Sequence, residues 1–499
     1  MNGMAYVMVV LGILIAKGLG FFRDIVFASV FGASVHTDMY FQIFGLVNLI
    51  FTGIGVALST LVIKNLNKAE NSTETANKGY VSHFIRKTSL ICVVAAICMA
   101  ILARPVVSLL LPGLAENDVA LAVKLMYIML PSFVFVIIAY IISGVLQNNR
   151  VFFISSIMSL PFNVVIIASL LFKNVDIVTV SIVTTIGWLL HIVIQLPPFY
   201  KKGYRLFTSP YETNPEKKKG SNELLWIFIS NMMFQVCFMI DKAFVTGESG
   251  AASTINYASN LFVTIASVFV VAMSNVVFPS ISRNYEEGNR DYVKSLLQYM
   301  ITVMFAIFMP FILVAGCFGK EVIGLLYERG SFTSDLTTTT SMLFAIYTIG
   351  VFGYACQELF NKILYLDSRY SYTVIGTIAV IVLKVILNTL FKDYGVVAIA
   401  ASTTVLFSLY AVNIAVAIRK VTGNYIDRAL LINLGKILVA SIAAFVVFFI
   451  FKKAIPVIST GKFGFIIPLV VCAVIYCGVL FVSGVVKVIL KGRNAESPQ

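Results

Sequence analysis

Long apolar blocks separated by short polar turns run through almost the whole 499-residue chain. About fourteen can be marked, opening at 4–30 and 39–63 and closing at 430–451 and 463–488. Each is close to, or longer than, the roughly 20 residues an α-helix needs to cross a bilayer core. Barrel strands would be shorter, about ten residues, with strict alternation. In lipid the backbone must satisfy its own N–H and C=O groups, so blocks of this kind are helices. The pattern predicts an all-α polytopic membrane protein with about fourteen transmembrane helices.

Composition sharpens this. Hydrophobic residues make up 59% and charged ones 12%, where a soluble chain carries about 25% charged. A water-soluble multidomain protein is excluded. The net charge of +14 comes from 37 Lys plus Arg against 23 Asp plus Glu. The basic residues sit in turns between apolar blocks, which suits an anionic membrane surface and excludes a nucleic-acid partner. They also alternate: Lys64, Arg86, Arg150, Lys201, Arg283, Arg369, Arg419 and Lys487 fall on one side, with fewer, such as Lys173, Lys320 and Lys392, on the other. That asymmetry places both termini in the cytoplasm. The first block carries Lys17, Arg23 and Asp24 and does not read as a cleavable leader.

Four parts are expected: an N-terminal lobe over residues 1–200, a basic cytoplasmic linker over 201–221, a C-terminal lobe over 222–420, and a final helix pair with a cytoplasmic tail over 421–499. The linker holds Pro210, Pro215 and Lys217 to Lys219. The two lobes read as a parallel repeat. A shift of about 217 residues lays Asp24 on Asp241 and Tyr40 on Tyr257, and one of about 219 lays Arg150 on Arg369.

Charges inside the blocks carry the chemistry. A charged side chain at mid-bilayer costs roughly 2.5–3.5 kcal/mol, so it faces a partner or a cavity. Lys17, Arg23 and Asp24 lie in the first block and the adjacent Asp241 and Lys242 in the seventh. Glu358 and Lys362, in the tenth, have the i, i+4 order of a helical ion pair, and Lys384 and Asn388 repeat that spacing in the eleventh. Neutralised pairs gluing helices together would produce the same pattern. The functional reading is a chamber whose Lys and Arg take an anion, above all phosphate or pyrophosphate. Asp241, with Asn388 and Thr404, is a candidate cation-coupling set, for Na+ or H+. Membrane potential is the alternative driving force. No cofactor, no metal set and no enzyme are expected: GxxxxGK[ST], HExxH and a Ser-His-Asp set are missing from the sequence, and the outer loops are short.

Five strings then stand in order along the chain: "GLGFFRDIVFASVFGASVHTDMYF" from Gly18, "SGVLQNNRVF" from Ser143, "FPSISRNYEEGN" from Phe278, "LLYERGSFTSDLTTTT" from Leu325 and "YLDSR" from Tyr365. As a colinear set they resemble the MurJ (MviN) lipid II flippases of the multidrug/oligosaccharidyl-lipid/polysaccharide exporter superfamily. The resemblance implies two six-helix lobes around a central cavity, and two C-terminal helices forming a lipid-facing groove. It implies a bacterial cytoplasmic (inner) membrane protein that moves an undecaprenyl-pyrophosphate-linked sugar to the outer leaflet by alternating access. The partners would be that lipid-linked saccharide, membrane lipids and enzymes of cell-wall or polysaccharide synthesis. Lys17 stands where the family often has Arg, while Arg23, Asp24 and Asp38 match outright and Asp241–Lys242 matches an acid–base pair. The substrate-binding set is therefore Lys17, Arg23, Asp24, Asp38 and Lys242. "LVNLIFTG" from Leu46 lacks the family's Pro and Arg, and Ser259 and Asn260 replace its Asp-Arg. A capsule or other surface-polysaccharide unit, or a cation-coupled multidrug exporter, are the alternatives.

Overall fold

The computed structural model describes residues 3–68, 74–207, 222–454 and 464–494. Regular structure among the described residues is helical, with no strand. Among the described residues, eight helices are long and apolar enough to cross a membrane, or ten if each of two bent pairs is one span. Leu160–Leu170 and Ile466–Val482 are apolar helices of shorter length. The helices that matter below are α1 (Gly3–Phe31), α2 (Val35–Ile50), α3 (Ser132–Asn148), α4 (Leu160–Leu170), α5 (Ile177–Val193) and α6 (Met233–Phe244). They continue with α7 (Ala251–Glu286), α8 (Arg290–Tyr327), α9 (Ser334–Ile349), α10 (Tyr370–Phe391), α11 (Gly395–Thr422), α12 (Arg428–Ala454) and α13 (Ile466–Val482).

Hydroxyl residues survive in these apolar helices because they bond back one turn. Ser181 donates to the Ile177 carbonyl and Thr184 to that of Val180, both at 2.8 Å. Outside the spans, Asp176 caps α5, accepting from the Thr179 amide at 2.9 Å. Hydrogen bonds from the Thr179 side chain first, and then from its amide, hold the carboxyl below the usual carboxylate range.

Two compact units are present. One comprises Met1–Asn256 with Arg329–Phe332, the other Tyr257–Glu328 with Thr333–Gln499. In the first, Ile137, Ile141 and Val145 of α3 form a core with Val62, Val81 and Ile85. In the second, Ile437, Ala440 and Phe448 of α12 and Tyr476 of α13 close on Phe318 of α8. Lipid tails are as apolar as leucine, so close packing and interhelical hydrogen bonds hold such helices, each bond contributing about 0.6 kcal/mol. Tyr476 donates to the Ala306 carbonyl and Thr404 to that of Ile346, both at 2.8 Å. Ile101, Leu171 and Val482 are 76%, 75% and 86% exposed, as side chains facing hydrocarbon should be.

Two turns that the expected repeat pairs are alike in geometry, but one residue out of the expected register: Arg150 corresponds to Ser368, not to Arg369. After α3, the amides of Arg150 and Val151 bond to the carbonyls of Gln147 and Leu146. Before α10, the amides of Ser368 and Arg369 bond to those of Tyr365 and Leu364. Both turns are Schellman motifs, and in each a non-glycine residue takes positive φ: Arg150 at 61° and Ser368 at 53°. Most of the expected linker, residues 208–221, lies outside the described residues.

Candidate substrate site

Helix α2 organises the charged residues of the first unit. Asp38, Phe41, Gln42 and Gly45 recur at i, i+3, i+4 and i+7 and share one face, while Tyr40 and Phe44 share the opposite one. The first face meets α6: Gln42 Nε2 donates to the Met239 carbonyl at 3.0 Å. The second meets α1, α4 and α5.

On the α6 side lies Lys242, buried in a helix that bends by 45° at its junction with Leu225–Asn231. Its Nζ donates to the Phe41 carbonyl and to Asn256 Oδ1, each at 3.4 Å. A Cβ on Gly45 would come within 3.3 Å of that nitrogen, so glycine leaves the ammonium its room. Lys242 interacts electrostatically with both Asp38 and Asp241, and Asp241 is fully buried. Two long hydrogen bonds and two acids make a neutralised cation that is only loosely tied.

Asp38 has a more fixed task. Its Oδ2 accepts from the Gly250 amide at 2.8 Å, and its Oδ1 from the Ser253 amide at 2.6 Å and from the Ser253 hydroxyl. These are donors at the start of α7, where a helix leaves amides unpaired and carries positive dipole. Asp38 therefore caps α7 from another helix, and both its oxygens are engaged.

On the opposite face of α2, Arg23 pairs with its neighbour Asp24: Nη2 and Nε reach Oδ1 at 2.7 and 3.1 Å. The guanidinium lies over the rings of Phe44 and Phe162, 5.7 and 5.5 Å from their centroids. Behind them Phe162 meets Trp188 with tilted rings and Trp188 meets His191 edge-on, and Tyr40 meets the Thr184 hydroxyl at 2.9 Å. Lys17 is half-buried two turns before Asp24 on the same face of α1.

Around the C-terminal end of α1, turns interlock. The Ser331 amide and hydroxyl donate to the Ser29 and Val30 carbonyls at 2.8 and 2.9 Å. Gly32 and Gly330 both have φ of +59°, and a Cβ on either would meet the other turn's backbone oxygen, 2.4 Å from Ser331 O and 2.1 Å from Ser29 O. Only glycine fits such a reciprocal approach.

The predicted residues thus fall into separate groups. Lys242, Asp241 and Asp38 gather on one face of α2, Arg23 and Asp24 on the other. In the second unit Thr404 turns to Ile346, and Asn388 accepts from Ser402 at 2.8 Å. Lys362 donates to Ser274 at 2.8 Å and feels the charge of Glu358. Glu358 lies in a π-helical turn, Cys356–Phe360, which alters the spacing assumed for that pair. Sequence reasoning passed over Phe44, Phe162 and Trp188. Their signal was an aromatic spaced i, i+4 from Tyr40 and further rings on two apolar helices, which reads as ordinary core.

Comparison with known proteins follows the same lines. The solved structure of lipid II flippase MurJ in an inward closed conformation matches with a TM-score of 0.79 at 21% identity, over 96% of this chain and 99% of that one. An inward-facing multidrug resistance MATE family transporter of the MOP superfamily matches at 0.63 and 15% identity, over 84% and 98%. A probable lipid II flippase MurJ of Buchnera aphidicola subsp. Acyrthosiphon pisum is 22% identical over 463 residues, 90% of each chain. The lipid II flippase MurJ of Burkholderia cenocepacia is 25% identical over 354 residues, 68% of each. The family described as lipid II flippase MurJ matches residues 27–469, and this multi-pass helical membrane protein belongs to it.

Proposed function

We propose that this protein is a flippase that carries lipid II, an undecaprenyl-pyrophosphate-linked saccharide, from the inner to the outer leaflet by alternating access. The observation that carries the reading is the loosely tied, buried Lys242, with acceptors no closer than 3.4 Å. A diphosphate oxygen at ordinary charge-assisted distance, about 2.8 Å, outcompetes such contacts. Asp241 and Asp38 keep the cation tolerable while the site is empty. Arg23, lying over two rings, is the second cation we assign to the head group.

Transport needs no covalent chemistry, only exchange of exposure. Release outward requires the Ser331 contacts with Ser29 and Val30 to break. A negative interior favours outward movement of an anionic head group by roughly 2.3 kcal/mol per charge per 100 mV. The membrane potential therefore suffices for direction in an inner membrane with both termini cytoplasmic. Cell-wall synthesis enzymes on either face would supply and consume the substrate.

The test is complementation of a MurJ-depleted bacterium, scored by lipid II reaching the outer leaflet. The wild-type chain should restore flipping, and Lys242→Met, expressed at the same level, should not. Rescue by Lys242→Met would end the pyrophosphate-site reading. The second reading, a capsule or other surface-polysaccharide unit, is favoured by Ser259 and Asn260, which leave uncharged side chains at two positions early in α7. Failure to restore lipid II flipping, with rescue of a capsule-export mutant, would select it.

A further inference from the structure

Lys384 lies within α10, fully buried. Its Nζ donates to the Ile399 carbonyl at 3.1 Å, to Ser402 Oγ at 2.7 Å and to Thr403 Oγ1. All three acceptors come from the second and third turns of α11, one carbonyl followed by hydroxyls three and four residues on. An ammonium has three N–H groups and no lone pair, so these three acceptors match its full donor set. The hydroxyl protons have their own acceptors: Ser402 Oγ donates to Asn388 Oδ1 at 2.8 Å and lies 2.7 Å from Ile399 O, and Thr403 Oγ1 lies 3.4 Å from the same carbonyl. The hydroxyl lone pairs are thereby turned toward the nitrogen. Asn388, one turn along α10 from Lys384, braces Ser402 from the other side.

A carbonyl and two hydroxyls, braced by an amide oxygen around one positive charge, are the hard, neutral oxygen ligands that suit an alkali ion. We propose that the ammonium of Lys384 is a tethered resident cation: it fills an oxygen cage built by α10 and α11 that would otherwise take a dissolved monovalent ion. Nitrogen-to-oxygen spacings of 2.7 and 3.1 Å fit an ion of ammonium size, K+ before Na+. A dissolved ion would make the geometry of this helix pair depend on its concentration. A charge tethered to α10 removes that dependence, so the pair keeps its shape with no alkali ion present.

The test reads cation binding in purified protein without lipid substrate, and so stands apart from the flippase reading. Melting temperatures are measured in choline, sodium and potassium chloride at one ionic strength. The wild-type protein should melt at the same temperature in all three. Lys384→Asn removes the charge and adds an amide oxygen; its melting temperature should be lowered in choline and should rise saturably by several degrees with K+, less with Na+. Adding Ser402→Ala to that variant should abolish the rise. A saturable K+ or Na+ shift in wild-type protein that Ser402→Ala removes would overturn the proposal, and that comparison needs no Lys384 variant to fold. A folded Lys384→Asn protein melting equally in all three salts would overturn it too.

Discussion

Two lysines are buried within apolar helices, and they are held in opposite ways. Lys242 of α6 touches two oxygens at 3.4 Å with acids nearby, while Lys384 of α10 meets neutral oxygens at 2.7 and 3.1 Å and a third, the Thr403 hydroxyl. The cost of burying an ammonium is met in the first case by long-range charge and in the second by short hydrogen bonds. Only the first leaves N–H groups that a stronger acceptor can claim. A buried charge in a membrane helix is thus no indicator of a ligand site until its contacts are measured.

Replacing each lysine by methionine should break this comparison most sharply. Lys242→Met should cut flipping by on the order of 100-fold, the loss of one good charge-assisted contact with substrate, and should also lower the melting temperature, because it leaves the buried Asp241 without its cation. Lys384→Met should act on stability alone and leave flipping near the wild-type rate. In choline salts it should lose about 2 kcal/mol, the contribution of a hydrogen bond to a charged group. Equal effects in outer-leaflet lipid II assays and thermal unfolding would refute the distinction.

Arg23 tests the other face of α2. Arg23→Lys keeps the charge but loses the guanidinium lying over Phe44 and Phe162, so flipping should fall roughly tenfold rather than vanish. Full activity in Arg23→Lys would show that the aromatic nest is packing alone.

The interlocked turns at Gly32 and Gly330 offer a further contrast, between a contact that the proposed cycle opens and one that it leaves closed. Gly330→Ala forces a Cβ into the Ser29 carbonyl, and φ of +59° adds strain. A cysteine at Ser331 in that background should label from outside several-fold faster than in a Gly330 protein. Asp38→Ala removes the cap of α7 and should cost about 1–2 kcal/mol of stability, read by thermal melting, with Asp38→Asn losing less.

The smallest effect belongs to the inner turns. Asp367 accepts from Tyr285 at 2.5 Å and from Arg369 at 2.7 Å, and the tyrosine bond first, then the arginine, hold its carboxyl below the usual range. A depressed folded-state pKa stabilises the fold above the ordinary carboxylate value, and that stabilisation is lost as pH falls through the lower folded value. Tyr285→Phe should flatten the loss of stability below about pH 4. The Arg150 turn is the control within the same chain, and an unchanged acid limb in Tyr285→Phe would separate the two turns no further.

Much of this protein was written in its sequence. The apolar blocks determined a multi-pass helical protein, because lipid leaves the backbone no other partner than itself. The cost of burying charge singled out Arg23, Asp24, Asp241 and Lys242. What neighbouring helices do with those charges was decided only by tertiary structure. Thr404 and Thr403 differ by one residue in sequence, yet about 100° of helical rotation sends one to Ile346 and the other to Lys384. Asp38 reads as one more acid until the start of α7 is brought against it, and the spacing of Glu358 and Lys362 holds only for a regular α-helix, which the π-turn interrupts. A sequence states which charges are inside. The facing helix decides whether each is bound fast or left free to bind, because hydrogen bonds depend on distances of tenths of an ångström that no local pattern encodes.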